Sequence, residues 1–148
     1  MVERFAVRAG QIALAALLWG AAAGAGASET ILGPVAADVV SVYDGDTLTV
    51  RAHVWLGTTV ETAVRLRGVD APEIRGKCES ERAAAIRARD TLRDLVGSVV
   101  ELRRIEADKY GGRVDADVFT DGKNVAADLV AAGLARPYDG GHRVGWCP

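Results

Sequence analysis

An excess of charge of one sign is missing from this sequence, in which 18 Lys and Arg stand against 20 Asp and Glu, for a net charge of −2. Capture of a polyanion by bulk positive charge is therefore excluded, and with it a histone-like protein or a basic DNA-binding tail. Aromatic residues are scarce, at 5%, and neither internal repeats nor heptads occur. With 148 residues and 49% hydrophobic content, the chain can nonetheless fold as one domain with a packed core.

The N-terminal apolar run is too short and too rich in alanine for a membrane-spanning helix: residues 12–23 are apolar apart from Gly20. Two arginines precede this run, and the small residues Ala-Gly-Ala follow it at 25–27. This order predicts a signal peptide over residues 1–27, with residues 28–148 as the mature domain. An uncleaved N-terminal membrane anchor is the alternative. Cleavage would remove two arginines and one glutamate and leave a slightly more acidic domain.

Cysteine is limited to Cys78 and Cys147, both in the predicted mature domain. His53 and His142 show no ligand spacing with them, which argues against a zinc site. An exported chain meets an oxidising compartment, where an even number of cysteines favours a disulfide. We therefore predict a Cys78–Cys147 bridge, with free thiols or a metal-bound pair as the alternatives.

The hydrophobic pattern predicts a mainly β domain with helices, of the α+β class. Alternating, β-branched segments indicate five strands, at 35–42, 47–54, 60–68, 99–105 and 114–120. Apolar residues at helical spacing predict an amphipathic helix over 80–96, and Asn124 can cap a short helix that ends before Gly133. Five strands with a helix between the third and fourth, and a short C-terminal helix, are the order of an OB-fold barrel.

Acidic residues collect at the turns beside the second and third predicted strands. Asp44 and Asp46 flank a glycine in DGDT, and Asp70 and Glu73 lie in VDAPE. If these strands are neighbours, Asp46 and Asp70 can come together, and carboxylates so placed favour Ca²⁺ or Mg²⁺. The backbone carbonyl of Ala71, held extended by the proline that follows, could be a further ligand. The alternative is that DGD is an ordinary turn sequence.

Arginines next to these carboxylates suggest phosphate chemistry. Arg65 and Arg67 share one face of the third strand, because alternate residues of a strand point the same way. A guanidinium beside the acidic cluster can bind phosphate with two N–H groups and stabilise developing charge. The alternative is a solvated surface pair. The loop DKYGGR at 108–113 adds basic and aromatic groups, or is simply a hairpin with two glycines at its tip.

Together these three motifs, DGDT at 44–47, RLRGVDAPE at 65–73 and DKYGGR at 108–113, resemble those of the staphylococcal-nuclease-like (thermonuclease) family. The resemblance covers the chain from about residue 35 to residue 147, and the three motifs in order are more specific than any one alone. The family fold is an OB barrel decorated with helices, in agreement with the predicted strand order.

The resemblance implies roles for the matching residues. It implies that calcium is bound by the Asp46 and Asp70 carboxylates and the Ala71 backbone carbonyl. It implies that Glu73 is the general base for the attacking water and that Arg65 and Arg113 contact the phosphate. Four further positions match residues near the metal or the substrate: Asp44, Lys109, Tyr110 and Tyr138.

Two departures from the family pattern affect these expectations. The third motif has two glycines before Arg113 instead of one, so we expect a longer loop or bulge to absorb the additional residue. Arg103 and Arg104 are possible substitutes for Arg113. The chain also ends soon after Tyr138, and the predicted disulfide could fasten a terminus that lacks a long helix.

The expected function is that of a secreted or periplasmic Ca²⁺-dependent nuclease that hydrolyses phosphodiester bonds of DNA or RNA. The resemblance implies cleavage that leaves 3′-phosphate ends, with single strands favoured. We expect a monomer without stable membrane association once the leader is removed. The alternatives are a non-catalytic OB module that binds nucleic acid or a protein, and a calcium-stabilised structural domain.

Overall fold

The computed structural model describes residues 29–148. The predicted signal peptide, 1–27, lies outside the described residues and stays a prediction, as does its cleavage. Within 29–148, none of the helices combines the length and the apolar character needed to cross a membrane.

Nine strands and two helices make up the described part of the chain. In chain order they are β1 (Thr30–Ile31), β2 (Val35–Val42), β3 (Thr47–Trp55), β4 (Thr58–Leu66), β5 (Val69–Asp70), α1 (Glu79–Val96), β6 (Val99–Ala107), β7 (Arg113–Thr120), β8 (Lys123–Asn124), α2 (Val125–Ala131) and β9 (Arg136–Pro137). The five long strands and both helices lie where the hydrophobic pattern predicts them. The four short strands carry too few residues for a recognisable alternation.

The five long strands form a closed barrel. β3 pairs with β2 and with β4, and β4 also pairs with β7, in parallel. β6 pairs with both β7 and β2, which closes the barrel without a free edge among these strands. The predicted OB-like architecture, mainly β with helices, is therefore confirmed.

The core lies inside the barrel because alternate residues of each strand point inward. Leu48 and Val50 of β3 and Val64 and Leu66 of β4 are fully buried, while the residues between them face outward. This alternation fixes Arg65 on the outer face, between two core residues. A shift of one residue in the pairing would place this charge in the core.

Helix α1 packs against one end of the barrel through a stripe of small and apolar residues. Ala85, Ala88 and Leu92 are fully buried. The alanines allow the helix to approach the chain closely at the β2–β3 turn. Helix α2 begins at Asn124, whose side-chain oxygen accepts a hydrogen bond from the Ala127 N–H at 3.2 Å, as the cap prediction requires.

The C-terminal segment is held to the barrel at two points. Strand β9 pairs with β5, so that Arg136 lies opposite Asp70. Cys147 forms the predicted disulfide with Cys78, directly before α1. The segment 139–148, called the tail below, lies between these points and contains no helix or strand. The prediction of an irregular tail fastened by Cys147 is confirmed.

Candidate functional site

Three carboxylates are buried at the end of the barrel where α1 packs. Asp44 and Asp46 lie in the β2–β3 turn and Asp70 ends β5, and each is 4–6% exposed. Thr47 lies opposite Arg65 in the β3–β4 pairing, which brings the start of β3 beside the end of β4. The Ala71 N–H donates to Asp46 Oδ2 at 3.1 Å. The predicted meeting of the DGDT and VDAPE motifs thus occurs in the structure.

Gly45 allows this close arrangement. A Cβ at this position would lie 2.6 Å from the Ala88 Cβ and 2.8 Å from the Ala71 Cβ, well inside normal contact distances. The turn is therefore pressed between α1 and the segment that follows Asp70. The DGD sequence is more than an ordinary turn here, because the glycine is needed for packing between the two aspartates.

The electrostatics of the cluster disfavour several negative charges together. Burial, the negative charge of Asp46 and a smaller contribution from Glu73 together raise the pKa of Asp44 to about 7. The Asp46 N–H donates to Asp44 Oδ1 at 3.1 Å and opposes this rise. A cation between the carboxylates would relieve the repulsion.

Two arginines approach these carboxylates from different parts of the chain. Arg65 Nη2 lies 3.7 Å from Asp46 Oδ2 and donates to the Val69 carbonyl at 3.1 Å. Arg143, in the tail, lies 2.5 Å from Asp70 Oδ1 and donates to Glu73 Oε1 at 2.8 Å. Burial would lower the pKa of Arg143, but the hydrogen bond to Glu73 and the contact with Asp70 raise it above its ordinary value.

Glu73 is held by the beginning of α1. Its side chain is 45% exposed, and its backbone N–H donates to Glu81 Oε1 at 3.4 Å. The buried Glu81 carboxylate also accepts from the Lys77 N–H at 3.0 Å and packs directly against Gly76. Glu81 therefore fixes both ends of the loop that presents Glu73.

The β6–β7 loop forms a second cluster on the outer face of the barrel. Arg113 pairs in parallel register with Ala63, two residues before Arg65, so that both arginines lie on the same face. Arg113 Nε donates to Asp108 Oδ2, and the Arg113 guanidinium lies 5.7 Å from the centre of the Tyr110 ring. Lys109 lies 5.0 Å from the same ring.

The additional glycine is accommodated in this loop without changing the register of β7. Gly111 and Gly112 both have φ of +70°, a conformation that other residues rarely adopt. The Gly111 N–H donates to the Asp108 carbonyl, and the Asp108 N–H donates to the Arg113 carbonyl. The structure therefore agrees with the expectation that a longer loop absorbs the extra residue.

The alternative arginines are engaged away from the acidic cluster. Arg103 pairs with Glu101 and packs over the Phe119 ring, while Arg104 pairs with Asp117 at 2.5 Å. Neither contacts the carboxylates of the DGDT and VDAPE motifs. Tyr138 does lie near them, because its ring centre is 5.6 Å from the Arg65 guanidinium.

The residues present fit a hard divalent cation. Asp70 Oδ1 is buried, and its only polar contact among residues 29–148 is the ion pair with Arg143 at 2.5 Å. Asp46 and Asp70 supply two buried carboxylates, and the backbone of Ala71 lies directly against Asp46. Oxygen donors of this kind suit Ca²⁺ or Mg²⁺ better than zinc.

Sequence reasoning missed three residues at this site: Glu81, Arg143 and Trp146. Trp146 donates its indole N–H to Asp70 Oδ2 at 3.1 Å. The predicted disulfide could have shown that the two tail residues, Arg143 and Trp146, lie near the site. It fastens Cys147 to Cys78, five positions after Glu73, and therefore brings the neighbours of Cys147 to the VDAPE motif.

Fold and site together define an OB-type barrel domain with buried carboxylates and arginines at one end, suited to a metal ion and a phosphate group. The family model described as staphylococcal nuclease homologue matches residues 63–143, more than half of the chain. The chain therefore belongs to the staphylococcal nuclease homologue family. No curated protein matches it. Membership indicates a nuclease-type domain, a metal-dependent activity and interaction with nucleic acid.

Proposed function

We propose that this protein is an exported Ca²⁺-dependent nuclease that hydrolyses phosphodiester bonds of DNA or RNA. The observation that carries the proposal is the group of three buried aspartates with Glu73 and Arg65 at its edge. Burying these carboxylates is unfavourable unless a cation or a hydrogen-bond network compensates them. Family membership supports the reaction class, and the predicted signal peptide supports export to the periplasm or the exterior.

Asp46, Asp70 and the Ala71 carbonyl would hold the calcium ion. Calcium bound there supplies positive charge that polarises the phosphate. Asp44 lies behind these ligands and accepts the Asp46 N–H, which orients the turn that carries Asp46. The Ala71 N–H contact to Asp46 Oδ2 orients the Asp46 carboxylate in the same way.

Glu73 would take the proton of the attacking water or orient that water. Its half-exposed carboxylate is open to solvent, whereas the three aspartates are almost fully buried. The Glu81 carboxylate holds the Glu73 backbone, so the base has a defined position relative to Asp70. Proton transfer by a positioned carboxylate is an ordinary contribution to hydrolysis.

Arg65 and Arg113 would stabilise the negative charge that develops on the phosphoryl oxygens. They lie on one face of neighbouring parallel strands, β4 and β7. Arg113 must exchange part of its contact with Asp108 for the phosphate. Lys109, Tyr110 and Tyr138 border the same face and would contact the nucleotide, with the rings available for base stacking. This arrangement favours flexible single strands over rigid duplex.

The test is hydrolysis of denatured DNA and of RNA by the purified protein, in millimolar Ca²⁺ and in excess chelator. We expect cleavage with 3′-phosphate ends in Ca²⁺ and none with chelator. Full activity in chelator would contradict the metal requirement. Stable binding of an oligonucleotide without cleavage over hours in Ca²⁺ would instead favour a non-catalytic binding module.

A double variant tests the assigned residues. Glu73→Gln combined with Arg65→Ala should lower kcat by at least about 1,000-fold, since single removals of catalytic groups cost roughly 100-fold or more. The matched control is Glu101→Gln with Arg103→Ala, which removes the same two charges from an exposed ion pair on β6. Wild-type kcat in the Glu73/Arg65 variant would overturn the assignment.

A further inference from the structure

The tail places a positive charge directly on the acidic cluster. Arg143 Nη2 lies 2.5 Å from Asp70 Oδ1 and 2.8 Å from Glu73 Oε1, so one guanidinium bridges the two carboxylates. These are the side chains to which the proposed function assigns metal binding and proton transfer. The Asp70 oxygen next to Arg143 is buried and has no other polar contact within residues 29–148.

Several contacts hold the tail in this position. Trp146 donates to the other oxygen of Asp70, and Arg136 of β9 stacks on the Trp146 ring at 3.8 Å. Arg136 also donates to the Gly145 carbonyl at 3.1 Å. One residue beyond Trp146, the Cys147 disulfide joins the tail to the start of α1. Arg143 is therefore kept near Asp70 at a high effective concentration.

We propose that Arg143 is a built-in counter-cation of the acidic cluster that competes with the divalent metal ion for Asp70 and thereby sets the metal affinity of the site. The inference rests on the metal site of the proposed function. Arg143 neutralises Asp70 and Glu73 while the metal is absent, and it has to leave Asp70 Oδ1 when that oxygen becomes a ligand. Binding of the metal and contact with Arg143 therefore oppose each other.

Arg143 is suited to this exchange, and Arg65 is not. Arg65 projects from a barrel strand, is 18% exposed, and keeps a hydrogen bond to the Val69 carbonyl that does not depend on the carboxylates. Arg143 is 45% exposed, lies in a segment without regular structure, and has its polar contacts only with Asp70 and Glu73 among residues 29–148. The Trp146 hydrogen bond to Asp70 Oδ2 can persist through the exchange and keep the carboxylate oriented.

The experiment is calorimetric titration of the oxidised protein with CaCl₂, which reads affinity without reference to catalysis. We expect Arg143→Gln to bind Ca²⁺ about 10-fold more tightly than the wild type, because the competing cation is gone. The matched control is Arg75→Gln, which removes an equal charge from the loop after Glu73. Arg75 has no ion pair within residues 29–148. This control should change the affinity by less than about 3-fold.

A third variant tests whether the Cys78–Cys147 disulfide keeps Arg143 near Asp70. Cys78→Ser with Cys147→Ser should also tighten Ca²⁺ binding, by less than Arg143→Gln, because Arg143 remains but at lower effective concentration. In the Arg143→Gln background the same serine pair should have no further effect. Arg143→Gln with unchanged or weaker affinity, or an equal gain in Arg75→Gln, would overturn the proposal.

Measuring both Ca²⁺ binding and nuclease activity distinguishes a failure of this inference from a failure of the proposed function. A wild type that binds Ca²⁺ and cuts DNA, with no gain in Arg143→Gln, would remove this inference and leave the proposed function intact. A protein that binds no Ca²⁺ in either form would overturn both. Cleavage of DNA in chelator would locate the failure in the proposed metal requirement.

Discussion

The two charged clusters of this barrel are built differently, although each has one arginine on a barrel strand and the two strands, β4 and β7, are neighbours. At the α1 end, the only cations that form ion pairs with the carboxylates of the DGDT and VDAPE motifs, among residues 29–148, are Arg65 and Arg143. In the β6–β7 loop, Arg113 and Lys109 accompany Asp108. The first cluster has an excess of buried negative charge, whereas in the second Arg113 pairs with Asp108 and also acts on the neighbouring Asp115.

The pKa directions show the same contrast. At the α1 end, burial and the neighbouring carboxylate raise the pKa of Asp44 to about 7. In the loop, burial would raise the pKa of Asp108, but the Tyr110 N–H and the Arg113 guanidinium hold it below the ordinary value. The proposed metal site thus lies beside the residues proposed to contact phosphate. In the proposed function, this division lets an acidic domain act on a polyanion.

Removing the disulfide that fastens the tail beside the acidic cluster should have the largest effect on stability. Cys78→Ser with Cys147→Ser opens a loop of 69 residues and should lower the free energy of unfolding by about 4 kcal/mol. Urea unfolding of the variant and of the oxidised wild type measures the difference. The reduced wild type is the control and should match the variant. A loss below about 1 kcal/mol would mean that the tail is held by its other contacts alone.

Breaking the ion pair of the loop should have a smaller, pH-dependent effect. The pKa of Asp108 is lower in the folded protein, so its ionisation stabilises the fold above the ordinary value of 3.8, and this contribution is lost as the pH falls below it. Asp108→Asn should therefore reduce stability by about 1–2 kcal/mol at pH 7, and by progressively less below pH 4.

Denaturant unfolding across this pH range makes the measurement. The control is Asp94→Asn, which changes an exposed carboxylate on α1. A difference between Asp108→Asn and the wild type that is independent of pH would contradict the role given to the charge of Asp108.

Salt dependence should give the smallest effect and sharpen the division between the two clusters. We assume three phosphate contacts, from Arg65, Lys109 and Arg113. The slope of log Kd against log salt for a single-stranded oligonucleotide should then be only about 2, or roughly 0.7 per contact. Glu73→Gln protein in Ca²⁺ allows this measurement without cleavage. Lys109→Ala should reduce the slope by about 0.7. A slope steeper than about 5 would contradict the small number of contacts.

Much of the fold could be predicted from the sequence because its signals are local. Alternation in 47–54 and 60–68 predicts strands, and the spacing of Ala85, Ala88 and Leu92 predicts the buried face of α1. Strand β4 ends at Leu66 rather than at 68, because Gly68 adopts φ of +80° in the turn before β5. A glycine in such a conformation ends a strand without an advance signal in the hydrophobic pattern.

The acidic residues of the site could also be located, since DGDT and VDAPE flank neighbouring strands whose pairing brings them together. Their roles stay predictions until metal binding and cleavage are measured. The role of Arg113 also stays a prediction, although its register places it on the same face as Arg65.

By itself, the sequence determined the barrel strands, both helices, the carboxylate motifs and the pairing of the two cysteines. Each depends on periodicity, turn chemistry or a simple count. Only the tertiary structure decided that Arg143 and Trp146 lie on Asp70, and that Glu81 holds the Glu73 loop. These contacts join segments up to 76 residues apart, and an irregular tail has no periodicity that could reveal where it docks.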